Sequence, residues 1–268
     1  MKLKDKKKRL ISNIHSLKSL IVAFSGGVDS TFLLAVCHEI LGDKVLAVTA
    51  DSPIHPKTEK ETAIQLAKDI GVAHIVITSK EMGQPDFIQN GPNRCYLCKT
   101  MLFNDLLGLA GEKGISKVVH GANIDDLRDF RPGMQAAKAL GIVSPLIEAT
   151  LGKDDIRKLS KEMGLKTWDK PSMACLASRI PYGVPLSLKR LRMVADAEAV
   201  LLGMGFGSCR VRYHGDVARI EIPVTDIAQV FIRDVRQNIV KKLKNIGFVH
   251  VALDLEGYVQ GSMNRGVS

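Results

Sequence analysis

The sequence predicts an α/β fold, with a parallel-sheet domain over residues 1–180 and a smaller α+β domain over residues 181–268. Three observations carry this reading. Short apolar runs bounded by turn residues alternate with amphipathic stretches of helical length, which is how a parallel sheet covered on both faces is written. The first apolar run ends in a glycine-rich loop that opens a helix. After about residue 180 the order changes to helix, strand, strand, helix, strand.

The elements follow in order. LIVAF (20–24) is a short apolar run stopped by Ser-Gly-Gly and reads as a buried strand. TFLLAVCHEILG (31–42) is a helix ended by Gly42, and KVLAVTA (44–50) is the next strand. PKTEKETAIQLAKDIG (56–71) opens with proline and closes with glycine, the usual asymmetry of an amphipathic helix. HIVITS (74–79) is a third strand, KTMLFNDLLGLAGEKG (99–114) a helix and KVVHGAN (117–123) a fourth strand. MQAAKALG (134–141) reads as a short helix, IVSPLIEA (142–149) as a candidate strand, and KDDIRKLSKEMG (153–164) as a helix. PYGVPLS is a turn-rich linker. Beyond it come helix 188–205, a hairpin of 209–215 and 217–223 turning at Gly215, one long helix over 226–247, and a last strand over 250–257. Internal repeats and low-complexity segments are absent.

The composition narrows the function classes. With 46% apolar residues the chain can bury a sizeable core, and it has no apolar run of the ~18 residues a membrane span needs. The basic start KLKDKKKR reads as a solvated helix face or frayed end, and the apolar run after it is too short for a signal peptide. Export is therefore not expected, and the expected location is cytoplasmic. A formal charge of +10 favours anionic partners such as nucleotides, phosphates or RNA. Five cysteines are an odd and low count for a disulfide framework; a CxxC in such a chain points instead to metal or redox work.

The loop AFSGGVDSTFLL (23–34) is the strongest chemical signal. A loop between a buried strand and a helix turns backbone N–H groups and the helix dipole onto one point, where a phosphate binds. Gly26 and Gly27 allow close backbone approach, and Ser25 and Ser30 add hydroxyls. No lysine follows, so this is not the GxxxxGK[ST] loop. The stretch resembles the PP-loop motif SGGxDS of ATP pyrophosphatases, with their adenine nucleotide alpha hydrolase-like fold. The resemblance implies ATP bound at Ser25, Gly26, Gly27, Val28, Asp29 and Ser30 and cleaved between its α- and β-phosphates. It brings TADSP (49–53), with Ala50 and Ser52, towards the adenine, and HGANIDDLRDFRPG (120–133), with Gly121 and Asp125, across the loop. Asp29, Asp125 and Asp126 are the nearest carboxylates for Mg²⁺, a hard cation that prefers oxygen ligands.

Cys37 lies within an apolar helix and Cys209 opens a strand, so both read as structural. Cys95, Cys98 and Cys175 lie in polar, turn-rich stretches beside Arg94, Lys99 and Arg179, and positive neighbours favour the thiolate. Three thiols without an evident histidine fall short of a closed zinc site. Spacing alone leaves a cluster, zinc or a redox pair open, with the count leaning towards a [4Fe–4S] cluster that has one open iron.

NRCYLCK, GANIDDLRDFRPG, CLASRIPYG, CRVRYHGDVARIEI and LDLEGYVQGSMN together resemble the LarE family over nearly the whole chain. These PP-loop sulfur transferases make the pincer nucleotide of a nickel cofactor. The resemblance implies that ATP adenylates a carboxylate of pyridinium-3,5-dicarboxylate mononucleotide and that sulfur replaces the activated oxygen. In some members a cysteine matching Cys175 gives up its own sulfur once. A chain that also carries Cys95 and Cys98 is similar to the cluster-bearing members, which take sulfide or another external sulfur donor. Cys175, Asp29 and Arg179 are then the catalytic candidates. Ser178, Arg179, Arg210 and Arg212 are candidates for substrate and phosphate, the last two sharing one strand face. Glu198 and Asp226 stay unassigned. The family also implies a homo-oligomer formed through the second domain. A tRNA thiolase is the main rival; no zinc-ribbon CxxC pairs and no basic stripe with interleaved aromatics support it, so nucleic acid is not an expected partner.

Overall fold

The structure is a computed structural model that describes residues 1–128, 132–171 and 174–259. Residues 129–131 and 260–268, which carry parts of GANIDDLRDFRPG and LDLEGYVQGSMN, and residues 172–173 lie outside the described residues.

In chain order the elements are α1 (Leu3–His15), β1 (Leu20–Ala23), α2 (Val28–Leu41), β2 (Val45–Asp51), α3 (Lys57–Ile70), β3 (Ala73–Thr78), the short α4 (Pro85–Ile88), α5 (Arg94–Glu112), β4 (Lys117–His120), α6 (Pro132–Ala139), the short α7 (Pro145–Glu148) and α8 (Lys153–Glu162). Then follow α9 (Leu188–Gly203), β5 (Arg210–His214), β6 (Val217–Glu221), the short α10 (Ile227–Val230), α11 (Arg233–Ile246) and β7 (His250–Leu253). No helix among the described residues is long and apolar enough to cross a membrane.

The chain forms two compact units. The first comprises Met1–Ser52, Lys57–Glu81 and Asn93–Met173; the second comprises Pro53–Pro56, Met82–Pro92 and Ala174–Ser268. In the first unit four parallel strands lie in the order β3-β2-β1-β4. Side chains alternate across a strand, so β1 feeds two cores. Leu20 and Val22 join Val45 and Ala47 of β2 under α2, α3 and α8, while Ile21 joins Leu46 and Val48 under Phe103, Leu106 and Ala110 of α5. β1, β2 and β4 are therefore buried between two helical layers, which is why they are written as apolar runs, while β3 at the edge is partly exposed.

The second unit has the three-stranded sheet β5-β6-β7, with β5 and β6 antiparallel and β6 and β7 parallel. Its core takes Ala197 and Leu201 from α9, Val211 and Ile220 from the hairpin, and Ile239 and Leu243 from α11. Two short segments from the first half of the chain belong to this unit. Asn90 inserts among the carbonyls of Pro181 and Val184 at 2.8 and 2.9 Å, and Leu176 N–H donates to Ile54 O at 2.7 Å.

Several expectations need correction. IVSPLIEA is not a strand: Val143 makes one parallel bridge to Val119, and Pro145 then starts the turn of α7, as proline suits a first helical position. The long helix over 226–247 is broken at Phe231–Ile232, where Ile232 takes an extended conformation and caps α11. Cys95 and Cys98 lie on the first turns of α5, which begins at Arg94 and not near residue 99. The helix after the glycine loop begins at Val28, so Asp29 and Ser30 already sit in its first turn.

Candidate functional site

The strand order 3-2-1-4 reverses direction between β1 and β4, and in such sheets ligands bind beyond the carboxyl ends of the strands at that reversal. The glycine loop leaves β1 there. Gly26 adopts φ +69° and packs against α3, where a Cβ would fall 3.3 Å from Ala63 Cα and Cβ. The loop is folded by its own hydroxyls: Ser25 and Ser30 Oγ stand 3.1 Å apart, and Ser30 Oγ donates to Gly27 O at 3.3 Å. Val28 is buried and offers only its backbone. Gly121, just beyond β4, closes over the same point, and a Cβ there would come 2.9 Å from Ser30 N.

Asp29 is the carboxylate of this corner. Its Oδ2 receives Lys153 Nζ at 2.6 Å, and its Oδ1 is buried with no hydrogen-bond partner among the described residues. Burial pushes the Asp29 carboxyl above its ordinary value, against the pull of Lys153 and with a further push from Asp126. An orphaned, buried carboxylate oxygen in the first turn of a helix that opens on a glycine loop fits Mg²⁺. The other two acids are committed to local structure: Asp125 Oδ2 accepts Lys153 N–H at 2.7 Å and caps α8, and Asp126 Oδ2 accepts Asn123 N–H at 3.0 Å.

At the end of β2, Ala50 is half-buried and Ser52 is buried, its hydroxyl bonded to the buried Glu81, which also receives Ser79 Oγ. Glu81 thus fixes the segment expected beside the adenine. His120, at the end of β4, bonds Ser144 Oγ at 2.7 Å and meets the Phe103 ring edge-on. Burial, helped by Lys99, pushes its pKa down to about 4, so it stands neutral beside the site.

Cys95 and Cys98 are half-buried and three residues apart on α5, hence on one helix face. A helix's first turns favour thiolates. All five cysteines are thiols, not disulfides; Cys37 and Cys209 are buried in the cores, with Cys209 pushed up to about 12, chiefly by burial. No group of three or more His, Cys, Asp or Glu side chains stands together to hold a metal among the described residues.

In the second unit Cys175 caps a 3₁₀ turn, Leu176–Arg179, and its carbonyl accepts three donors: Ser178 N–H at 3.0 Å, Ser178 Oγ at 2.8 Å and Arg179 Nη1 at 3.1 Å. Arg179 has no exposed surface. Its Nη1 also reaches Ala174 O, and its Nε and Nη2 grip Glu198. Burial works against its charge, but Glu198, backed by Cys175 and Tyr258, holds its pKa above the ordinary arginine value. Arg212 pairs with the buried Glu221 at 2.6 Å and donates to Ser178 O at 3.1 Å, and Arg210 stacks 5.1 Å from the Tyr258 ring centroid. Arg210 and Arg212 are buried, not a solvated strand face.

Lys153, Arg157 and Lys170 escaped the sequence reading. Lys153 and Arg157 lie in a helix of mixed charge, and Lys170 precedes a proline without any recognisable motif.

Comparison with known proteins fits this geometry. The NAD synthase family profile matches residues 2–86, the span of the glycine loop and the first three strands. An uncharacterized protein of Synechocystis sp. is 42% identical over 264 residues, 98% of each chain. The pyridinium-3,5-bisthiocarboxylic acid mononucleotide synthase of Lactiplantibacillus plantarum is 37% identical over 264 residues, covering 98% of this chain and 95% of that protein. The glutamine-hydrolyzing GMP synthase of Pyrobaculum aerophilum is 28% identical over 188 residues, 60% of this chain and 35% of that protein. Because the synthase match runs nearly end to end at 37% identity, the chain belongs to the LarE family of PP-loop, ATP-dependent sulfur transferases.

Proposed function

We propose that this chain converts pyridinium-3,5-dicarboxylate mononucleotide to its thiocarboxylate. Asp29 carries the reading: a buried carboxylate with one uncommitted oxygen, in the first turn of a helix that opens on a glycine loop, is suited to Mg²⁺ and the phosphates of ATP. A substrate carboxylate oxygen attacks the α-phosphorus of ATP and pyrophosphate leaves. The acyl adenylate then has a good leaving group. A hydrosulfide sulfur attacks its carbonyl carbon, AMP departs with the original carboxylate oxygen, and the proton of hydrosulfide passes to solvent. Ser25, Ser30 and the first amides of α2 hold the phosphates, the segment with Ala50 and Ser52 meets the adenine, and Gly121 and Asp125 border the site. Ser178, Arg179, Arg210 and Arg212 shape the region around Cys175 for an anionic substrate.

Cys95, Cys98 and Cys175 are the proposed ligands of a [4Fe–4S] cluster. The chemistry of the donors supports the reading: three thiols, two of them one turn apart at a helix start, are the ligands such a cluster takes. When bound, a cluster with one iron not held by the protein supplies a place for the external sulfur. The second unit, in which Val224, Phe231, Ile232 and Leu255 are 57–79% exposed, is the proposed surface for a homo-oligomer.

The test is an anaerobic reaction of purified protein with MgATP, the dicarboxylate nucleotide and sulfide, following pyrophosphate and the thiocarboxylate product. Substrate-dependent pyrophosphate with AMP is expected, together with about four irons and four sulfides per chain. Product equal to one sulfur per chain, with Cys175 turned to dehydroalanine and no iron, would replace the cluster by the single-use route. Absence of pyrophosphate would sink the adenylation reading.

A further inference from the structure

We infer that Lys170 is the phosphate-reaching lysine of the glycine loop, supplied from the turn after α8 instead of from the loop's own helix. The inference rests on the ATP reading above. The loop SGGVDS contains no cation, yet the pyrophosphate leaving it is a polyanion that needs one.

Among the described residues two lysines approach the loop. Lys153 is committed to Asp29 at 2.6 Å. Lys170 instead places Nζ 3.0 Å from the Gly26 carbonyl. A carbonyl orients an ammonium without cancelling its charge, and an ammonium has three donors, so two remain for a ligand. Lys170 is half-buried at this point, and burial pushes its pKa below the ordinary lysine value while Glu59 pulls the other way. Such a charge gains more from a phosphate partner than a solvated one does.

The turn that carries Lys170 is held in place. Arg157 of α8 donates from Nη1 to Trp168 O at 3.2 Å and from Nη2 to Lys170 O at 3.0 Å. Lys161 sits over the Trp168 ring at 4.4 Å, and Lys170 N–H donates to Thr167 O at 3.1 Å. Arg157 is thus a positioning residue: it fixes the backbone from which Lys170 reaches the loop.

Calorimetric titration of the full chain with inorganic pyrophosphate and with MgATP tests this. Lys170→Met is expected to weaken both by at least tenfold and Lys170→Arg to recover part of the loss. Lys166→Met, at a lysine whose side chain is 79% exposed, should change either ligand less than twofold. If Lys170→Met does not fold, Lys170→Gln can still donate to Gly26 O without charge and gives the same comparison. Unchanged affinity in the uncharged Lys170 variant overturns the inference, as does an equal loss in Lys166→Met. Failure of the wild type to bind either ligand overturns the ATP reading itself.

Discussion

Arg179 and Glu198 form a two-pronged ion pair, Nε to Oε1 at 2.8 Å and Nη2 to Oε2 at 3.0 Å, with Arg179 fully buried. The remaining nitrogen, Nη1, holds the carbonyls of Ala174 and Cys175. Glu198 Oε1 also accepts Val211 N–H at 3.1 Å. One guanidinium therefore links α9 and β5 to the backbone of the candidate sulfur-handling cysteine, so Arg179 acts here as a positioning residue.

Glu198→Ala should leave a buried, uncompensated guanidinium and cost about 3–5 kcal/mol of the second unit's stability, read by urea unfolding. Arg179→Lys cannot keep both prongs and the two carbonyls, so it should impair sulfur transfer more than pyrophosphate release. Equal loss of both activities would mean that Arg179 acts elsewhere than at Cys175.

Asp29→Asn should abolish Mg²⁺-dependent pyrophosphate release and leave the protein folded. The pH dependence has a definite sign. Burial raises the Asp29 pKa in the fold above 3.8, so the folded state holds the proton more tightly than the unfolded state. This carboxyl thus makes stability fall as pH rises from 3.8 through its raised value, and Asp29→Asn should lose that slope. Comparing the two proteins by thermal unfolding across acid pH checks it.

Gly121→Ala should weaken ATP binding by tenfold or more, because the new Cβ would fall 2.9 Å from Ser30 N and 3.0 Å from Ser30 Cα, both rigid backbone atoms. Gly183→Ala, at a positive-φ turn with nothing within 4 Å, supplies the contrast: backbone strain without an effect on ATP. Calorimetry on both variants separates crowding from strain.

His120 should stay neutral throughout the working range, with an NMR titration midpoint near the value of about 4 that burial imposes. Its depressed pKa means the unfolded chain takes up the proton first, so its contribution to stability is present above pH 6.5 and lost as pH falls towards 4. A rate profile with a limb near pH 6.5 that disappears in His120→Gln would contradict this.

Phe231→Glu should lower the oligomeric state seen by light scattering if the exposed surface of the second unit is buried between copies. An unchanged mass would remove that surface from consideration.

By itself the sequence determined the alternation of strands and helices, the place of the glycine loop between a strand and a helix, and the separation of the half-buried Cys95, Cys98 and Cys175 from the buried Cys37 and Cys209. These are local features: side-chain period, glycine and proline placement, and residue type can be read within a few positions. Only the tertiary structure decided which carboxylate keeps an uncommitted oxygen, that Arg179 faces Glu198, that Glu81 secures Ser52, and that Lys170 stands at Gly26. Each of these relations joins residues 19 to 144 positions apart. Burial and hydrogen-bond geometry set their chemistry, and neither exists until the chain has closed those distances.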